Sequence, residues 1–215
     1  MQITFGTVNN SRNQILQKII EEKQNSVFRV VDVGGVVNGW SKEVVDLVID
    51  KNTTDTKKSM QIDICVYNDW NKILDDVTIN GLYDYAICTH TLEDVYNPFT
   101  ALEMLPKIAK AGVITMPSLR SELSKVESND WIGFIHHRWI FDVNNGEMLI
   151  IPKLEFLSSL VKDTIKFIPS QEEIRYEWSG HIPYQIFMDN YLGPDANTVL
   201  TEYKKLINKL SKKQL

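Results

Sequence analysis

Four stretches of this chain combine residue types and spacings that can do chemistry. In Val30-Val31-Asp32-Val33-Gly34-Gly35 a β-branched run ends in an acid and two glycines. Glycines let a backbone approach a ligand closely and adopt positive φ. The acid ahead of them would repel a pyrophosphate, so the turn suits a cationic or hydroxyl-bearing ligand. It is neither the GxGxxG dinucleotide fingerprint nor a P-loop, which needs a lysine. Asp50 closes the next apolar run, 18 residues after Asp32, where a carboxylate can accept both hydroxyls of a ribose. Asp63, in a third and mixed run, can accept from an adenine amino group. The fourth stretch is Trp131-Ile132-Gly133-Phe134-Ile135-His136-His137-Arg138-Trp139. An imidazole that titrates near neutral pH can take a proton from a hydroxyl, and the aromatic rings can stack on a sugar or another ring. His90, His136, His137 and His181 show neither an HExxH nor a zinc-type Cys/His spacing, so no metal site is expected. Each of these residues also has a plain structural reading, as a turn glycine, a surface acid or a loop anchor.

The elements that must position these residues follow from periodicity. Ile15, Leu16, Ile19 and Ile20 form one helical stripe between Asn13 and Lys23. Buried strands are expected over Val27–Val33, Val44–Ile49, Met60–Val66, Tyr83–Cys88 and Val113–Met116. A helix follows Pro98, with Phe99, Leu102, Leu105, Ile108 and Ala109 on its apolar face, and Pro106 is expected to kink it or end it early. Strands separated by helices imply a mostly parallel sheet, with ligands at the carboxyl ends of its strands. Asp32, Asp50, Asp63, Thr89 and His90 all fall at or near those ends. Beyond about residue 150 the pattern turns into short strands or mixed segments, at Met148–Ile151, Phe156–Leu160, Ile174–Trp178 and Tyr184–Phe187. Asp195 can cap a final helix with the stripe Val199, Tyr203, Leu206, Ile207 and Leu210.

Composition narrows the class. The 215 residues suffice for one domain with a sizeable core, and 43% hydrophobic with 24% charged residues is ordinary for a globular protein. The net charge of −5 argues against a general nucleic-acid surface. The one basic run, Lys204, Lys205, Lys209, Lys212 and Lys213, reads as the solvated face of the last helix. No apolar run is long enough to span a membrane, and no basic-then-apolar leader precedes Phe5. Cys65 and Cys88 sit in apolar runs without CxxC spacing. They read as buried reduced thiols, which fits a cytoplasmic location.

One block is more specific. Tyr83-Asp84-Tyr85-Ala86-Ile87-Cys88-Thr89-His90-Thr91-Leu92-Glu93-Asp94-Val95, then Asn97-Pro98, then Ala109-Lys110-Ala111-Gly112-Val113-Ile114, resembles the strand 4, helix and strand 5 block of class I S-adenosylmethionine-dependent methyltransferases (type 11-like). That family commonly shows a hydrophobic run after Phe-Asp, a His-x-Leu-Glu-His/Asp-Val stretch, an Asp/Asn-Pro helix start and a Lys-x-Gly-Gly. The matching residues are Asp84, His90, Leu92, Glu93, Asn97-Pro98 and Gly112, and the resemblance covers about residues 27 to 118. It implies a Rossmann-like α/β fold with a mostly parallel sheet flanked by helices and a small C-terminal α+β extension. The domain would span 1–215: a cofactor core over about 27–118, a substrate-recognition insert and late strands over about 119–192, and a helix over about 195–213. The implied cofactor is S-adenosylmethionine. Asp32, Gly34 and Gly35 would line its methionine end and ribose, Asp50 would hold the ribose hydroxyls, Asp63 and Ile64 would frame the adenine, and Thr89 and His90 would lie near the sulfonium.

The chain departs from the family pattern at Val36-Val37, where a glycine-rich loop is usual. Only about four residues separate Gly39 from the second strand, so the helix between the first two strands is expected to be missing or reduced to a turn. The expected reaction is in-line methyl transfer to an oxygen, less readily a nitrogen, of a small molecule, with His136 or His137 as base. Trp131, Arg138 and Trp139 are the candidate substrate contacts. A sugar, on a nucleotide sugar or a surface glycan, is the first expectation because the insert is aromatic and polar rather than basic. Tyr176, Trp178, Tyr184 and Tyr191 are candidates for a pocket floor, and Trp178-Ser179-Gly180-His181 for its rim. The expected partners are this small molecule and a second copy of the chain, with no nucleic acid and no membrane. Two other readings stand beside it: an NAD-dependent oxidoreductase, against which the absent GxGxxG counts, and a decayed binding or scaffold domain.

Overall fold

A computed structural model describes residues 4–9, 11–128, 130–161, 172–187 and 196–212. Along the chain run β1 (Thr4–Asn9), α1 (Ser11–Asn25), β2 (Val30–Val33), β3 (Leu47–Asp50), β4 (Ser59–Gln61), a 3₁₀ turn (Tyr67–Trp70), α2 (Asn71–Asn80) and β5 (Tyr83–Thr89). Then come α3 (Pro98–Ile108), β6 (Ala109–Pro117), α4 (Leu119–Glu122), β7 (Trp139–Asn144), β8 (Glu147–Pro152), α5 (Leu157–Val161), β9 (Glu172–Ser179), β10 (Tyr184–Ile186) and α6 (Ala196–Ser211).

Seven strands form one sheet in the order β1-β9-β6-β5-β2-β3-β4. From β6 to β4 all neighbours are parallel, while β9 runs antiparallel to both β6 and β1. This is a Rossmann-like α/β sheet, mostly parallel and flanked by helices. Its central strands are apolar on both faces: every residue of β2 is buried, as a strand covered on both sides requires. The chain winds outward from β2 to β3 and β4 on one side, then returns to β5 and β6 on the other. The strand order therefore reverses beside β2, and a crevice opens there at the carboxyl ends.

The β2–β3 connection, residues 34–46, contains no helix. Its turns are held by Gly39 N–H donating to the Val36 carbonyl and by Val44 and Val45 N–H both donating to that of Ser41. A smaller sheet, β10-β8-β7, stands beside the large one. Its β7–β8 hairpin turns on Asn145-Gly146, both at positive φ, the conformation that a tight hairpin demands. The amphipathic helix α6 lays Val199, Tyr203, Leu206 and Ile207 against Leu119, Leu123, Ile140 and Ile151. Its lysines 204, 205 and 209, and Lys212 just beyond its end, are exposed, and Lys209 pairs with Asp142.

Several expectations need correction. The first strand begins at Val30, because Arg29 N–H donates to the Asp84 side chain rather than into a ladder, and Val27 is 92% exposed. The third strand ends at Gln61, since residues 62–66 curve away through Cys65 N–H bonding the Asp63 carboxylate. Pro106 does not stop α3, which continues to Ile108. The proline removes one donor in the last turn, where little helix remains to be broken. Residues 157–161 are helical, not extended. β1 and β7 had no counterpart among the expected strands. Tyr191, Asp195 and Lys213 lie outside the described residues. Cys65 and Cys88 are both free and buried. Among the described residues no helix is long and apolar enough to cross a membrane.

Candidate active site

Two cavities open at the carboxyl edge of the parallel strands. The first, of about 330 Å³, lies in the crevice beside β2 and is lined by Gly34, Asp50, Ile62, Asp63 and Ile64 among others. The second, of about 710 Å³, is lined by Arg12, Glu127, Phe134, His136, His137 and the carboxylates discussed below. His90 and Asp94 belong to both walls. Both volumes suit small-molecule sites.

The first cavity is built by close backbone approach. Gly34 has φ +78°, and a Cβ there would lie 2.3 Å from Thr91 Cγ2. Its N–H donates to the Ile49 carbonyl at 2.8 Å, which ties the turn to the end of β3. Gly35 is fixed from below, because a Cβ would meet Asp32 Cγ at 2.3 Å. The Asp32 carboxyl is therefore not on the cavity surface. It is buried beneath the loop, where Ser41 Oγ donates to it at 2.5 Å. Burial pushes it up to about 6, against the pull of the Ser41 hydroxyl and Arg12 and with a push from Asp50. Asp50 accepts from Asn52 N–H at 2.7 Å and Asp63 from Cys65 N–H at 2.9 Å. Both acids keep a place on the cavity wall, beside the buried side chains of Ile62 and Ile64.

His90 stands at the junction of the cavities in a left-handed conformation, φ 49°. Its Nδ1 lies 3.2 Å from Glu93 Oε1 and its Nε2 2.7 Å from Glu173 Oε2. Burial opposes its charge, but the hydrogen bonds to Glu173 and Glu93 outweigh burial and lift the imidazole from 6.5 to about 9. Glu173 moves the other way. Burial would raise it, yet His90 and the Ser11 N–H hold it down at about 2. At neutral pH this is an imidazolium between two carboxylates, with both N–H groups committed.

The second cavity is closed by the segment before β7. Arg138 and Trp139 N–H both donate to the Glu93 carbonyl, at 2.7 and 3.3 Å, and so bring the two histidines over the Asp94 turn. His137 is buried, and its Nδ1 donates to Glu122 Oε1. The other oxygen of Glu122 accepts from Lys153 Nζ at 2.7 Å. His137 Nε2 then faces Asp94 Oδ1 at 3.5 Å, and His136 Nε2 faces the same oxygen at 3.7 Å. His136 is exposed, with Nδ1 3.8 Å from Glu127 Oε1. One ligand-capable atom each from Asp94, His136 and His137 fits within 4.8 Å of the others. Glu93, Asp94, Glu127, Glu172 and Glu173 make this cavity acidic.

Of the eight expected cofactor residues, Gly34, Asp50, Asp63, Ile64 and His90 line the first cavity, whereas Asp32, Gly35 and Thr89 do not. His136 and His137 line the second. Arg138 lines the first, with its Nε donating to the Asp94 carbonyl at 3.2 Å. Trp139 lines neither: it is buried edge-on against Phe99, and its Nε1 donates to the Val95 carbonyl. Trp131 also lines neither and reaches Glu127 at 3.4 Å. Tyr176 and Trp178 are core residues, not a pocket floor. The antiparallel register sets Ser179 opposite Ala111, at the far end of β6, so residues 178–181 cannot rim this site. The same register sets Glu173 opposite Pro117, at the site edge. Glu172, Glu173, Glu122, Asp94 and Arg12 were not singled out from sequence. A carboxylate ahead of an apolar strand gives no sign of its partner until the strand's direction is known.

No family model matches the chain, and no curated protein matches it. Among solved structures it is similar to the plantazolicin methyltransferase BpumL in complex with a triazolic desmethylPZN analog and SAH, at 12% identity and TM-score 0.41, over 80% of this chain and 83% of that one. It is similar to the methyltransferase domain of bacterial CtHen1, at 8% identity and TM-score 0.35, over 79% and 98%. It is also similar to magnesium protoporphyrin IX methyltransferase (ChlM) from Synechocystis PCC 6803 with bound SAM, at 9% identity and TM-score 0.33, over 78% and 77%.

Proposed function

We propose that this chain is an S-adenosylmethionine-dependent methyltransferase that takes its cofactor in the cavity beside Gly34 and its acceptor in the acidic cavity next to it. The observation that carries the reading is the shared wall: His90 and Asp94 face both cavities, at the point where the strand order reverses. A donor in one cavity and an acceptor in the other would meet there.

The first cavity fits such a cofactor on its own chemistry. Gly34 lets the turn backbone pack directly against Thr91 on the cavity wall, where a side chain would clash. Asp50 and Asp63 offer acceptors for ribose hydroxyls and an adenine amino group, and Ile62 and Ile64 offer an apolar wall for a ring. Asp50, Asp63 and Asp94 share this lining with Lys51, Arg138 and protonated His90, a balanced set of charges that can pair with both the zwitterionic methionine end and the sulfonium of the cofactor. When bound, the cofactor supplies an electrophilic methyl group on sulfur. The chain's own work is to align an acceptor and remove its proton. His90 is unsuited to the second task, because it is already protonated and saturated. Proton removal falls to the corner formed by His136 and His137, where Glu122 fixes the His137 ring and leaves its Nε2 facing the cavity.

The five carboxylates of the second cavity suit an acceptor rich in hydroxyls, and Phe134 offers a face for a sugar ring. The acid lining favours a neutral glycan sugar over a nucleotide sugar, whose phosphates it would repel. Asp50→Ala tests the cofactor assignment. It removes a charged acceptor from two hydroxyl groups, at about 1.5–3 kcal/mol for such a bond, so S-adenosylhomocysteine should bind at least about tenfold more weakly. Unchanged affinity would remove the ribose assignment.

A further inference from the structure

The structure assigns a divalent transition-metal site to Asp94, His136 and His137, at the mouth of the acidic cavity. The site stands on its own geometry, and only its part in catalysis rests on the proposed methyl transfer. Two imidazole nitrogens, Nε2 of His136 and Nε2 of His137, converge on one carboxylate oxygen, Asp94 Oδ1, at 3.7 and 3.5 Å. Ligands about 2.1 Å from a shared zinc-like cation stand about 3.4 Å apart in tetrahedral geometry. The two spacings to Asp94 are close to that value, and the three ligand atoms lie within 4.8 Å of one another.

The surroundings support the same assignment. A metal-binding histidine usually gives its other ring N–H to a carboxylate, which sets the tautomer and the ring orientation. Glu122 does this for His137, and is itself neutralised by Lys153. His136 has Glu127 on its Nδ1 side at 3.8 Å. The backbone bonds from Arg138 and Trp139 to the Glu93 carbonyl hold the two arms of the site together before any ion arrives.

Two nitrogens and one oxygen on an open cavity match the ligand set of catalytic zinc or iron(II) sites rather than of magnesium, which prefers oxygen and keeps its waters. A cation held by these three residues on the cavity wall would raise the acidity of an acceptor hydroxyl bound beside it. The imidazoles then serve as ligands. In the cation-free protein they remain free to act as the base.

Cobalt(II), followed by visible absorption, tests the site without any cofactor or acceptor. One equivalent should bind and give ligand-field bands, and added zinc should displace it. His136→Gln is an exposed substitution that leaves the core untouched, and should weaken cobalt binding at least about tenfold; Glu122→Gln, one step further out, should weaken it by about 10–100-fold. His181→Gln, at the far edge of the sheet, should leave it unchanged. Absence of spectral change at millimolar cobalt, equal affinity in His136→Gln, or loss of binding in His181→Gln would each overturn the assignment. These outcomes are independent of S-adenosylhomocysteine binding, so failure of the metal site and failure of the methyltransferase reading are told apart.

Discussion

Asp32→Asn should change the pH dependence of stability in a way that no neighbouring group imitates. The Asp32 carboxyl is 1% exposed and titrates at about 6 in the fold, against 3.8 for the free side chain. The folded state therefore holds this proton more tightly than the unfolded chain does. Its contribution to stability is fully present below pH 3.8 and is lost as the pH rises through about 6. At 1.36 kcal/mol per pH unit the loss is roughly 3 kcal/mol. Asparagine keeps the shape and can still accept from Ser41 Oγ, but it cannot ionise. Any misfit of the amide adds a constant offset rather than a slope. The measurement is urea unfolding of both proteins at several pH values from 4 to 7, by tryptophan fluorescence. The variant should gain about 2.5 kcal/mol relative to wild type between pH 4 and 7. A difference that stays flat would show that Asp32 is not buried as a neutral acid beneath the glycine turn.

Two other substitutions follow from the same wall. Gly34→Ala forces a side chain into a left-handed position, at about 1–2 kcal/mol, and drives its Cβ to 2.3 Å from Thr91 Cγ2. Both stability and S-adenosylhomocysteine affinity should fall in calorimetry, and retention of both would mean the turn is open. Glu173→Gln removes the strongest partner of His90, so the imidazole should titrate well below its present value of about 9, as read by NMR. The raised His90 value stabilises the fold fully below pH 6.5, and that stability is lost as the pH rises through about 9. With the ring 36% exposed, solvent screening leaves on the order of 1 kcal/mol. Wild type should therefore weaken on the alkaline side more than the variant does.

Much of this site was legible where local pattern and position coincide. Gly34, Asp50 and His90 end or follow parallel strands, and the apolar runs before them fix where those ends lie. The helix-free β2–β3 link was legible too, from the short stretch after Gly39. What sequence withheld depends on strand direction and on partners far along the chain. Glu173 meets His90 across 83 residues only because β9 runs antiparallel. The tryptophans flanking His136 and His137 looked like ring-stacking groups, but Trp139 opens an unforeseen strand whose indole turns inward. Asp32 looked like a ligand contact and became a support for the turn, because Gly35 folds back over its carboxyl. Asp94 stood in the block that carries the resemblance but had no role of its own, and the backbone bonds from residues 138 and 139 to Glu93 bring it under the histidines.

The central claim is that the cavity beside Gly34 holds S-adenosylmethionine. Calorimetric titration of the wild-type protein with S-adenosylhomocysteine, alongside NAD, tests it most directly. One saturable site for S-adenosylhomocysteine and no heat with NAD is the expected result. No heat with S-adenosylhomocysteine at millimolar ligand, or a site that prefers NAD, would contradict it.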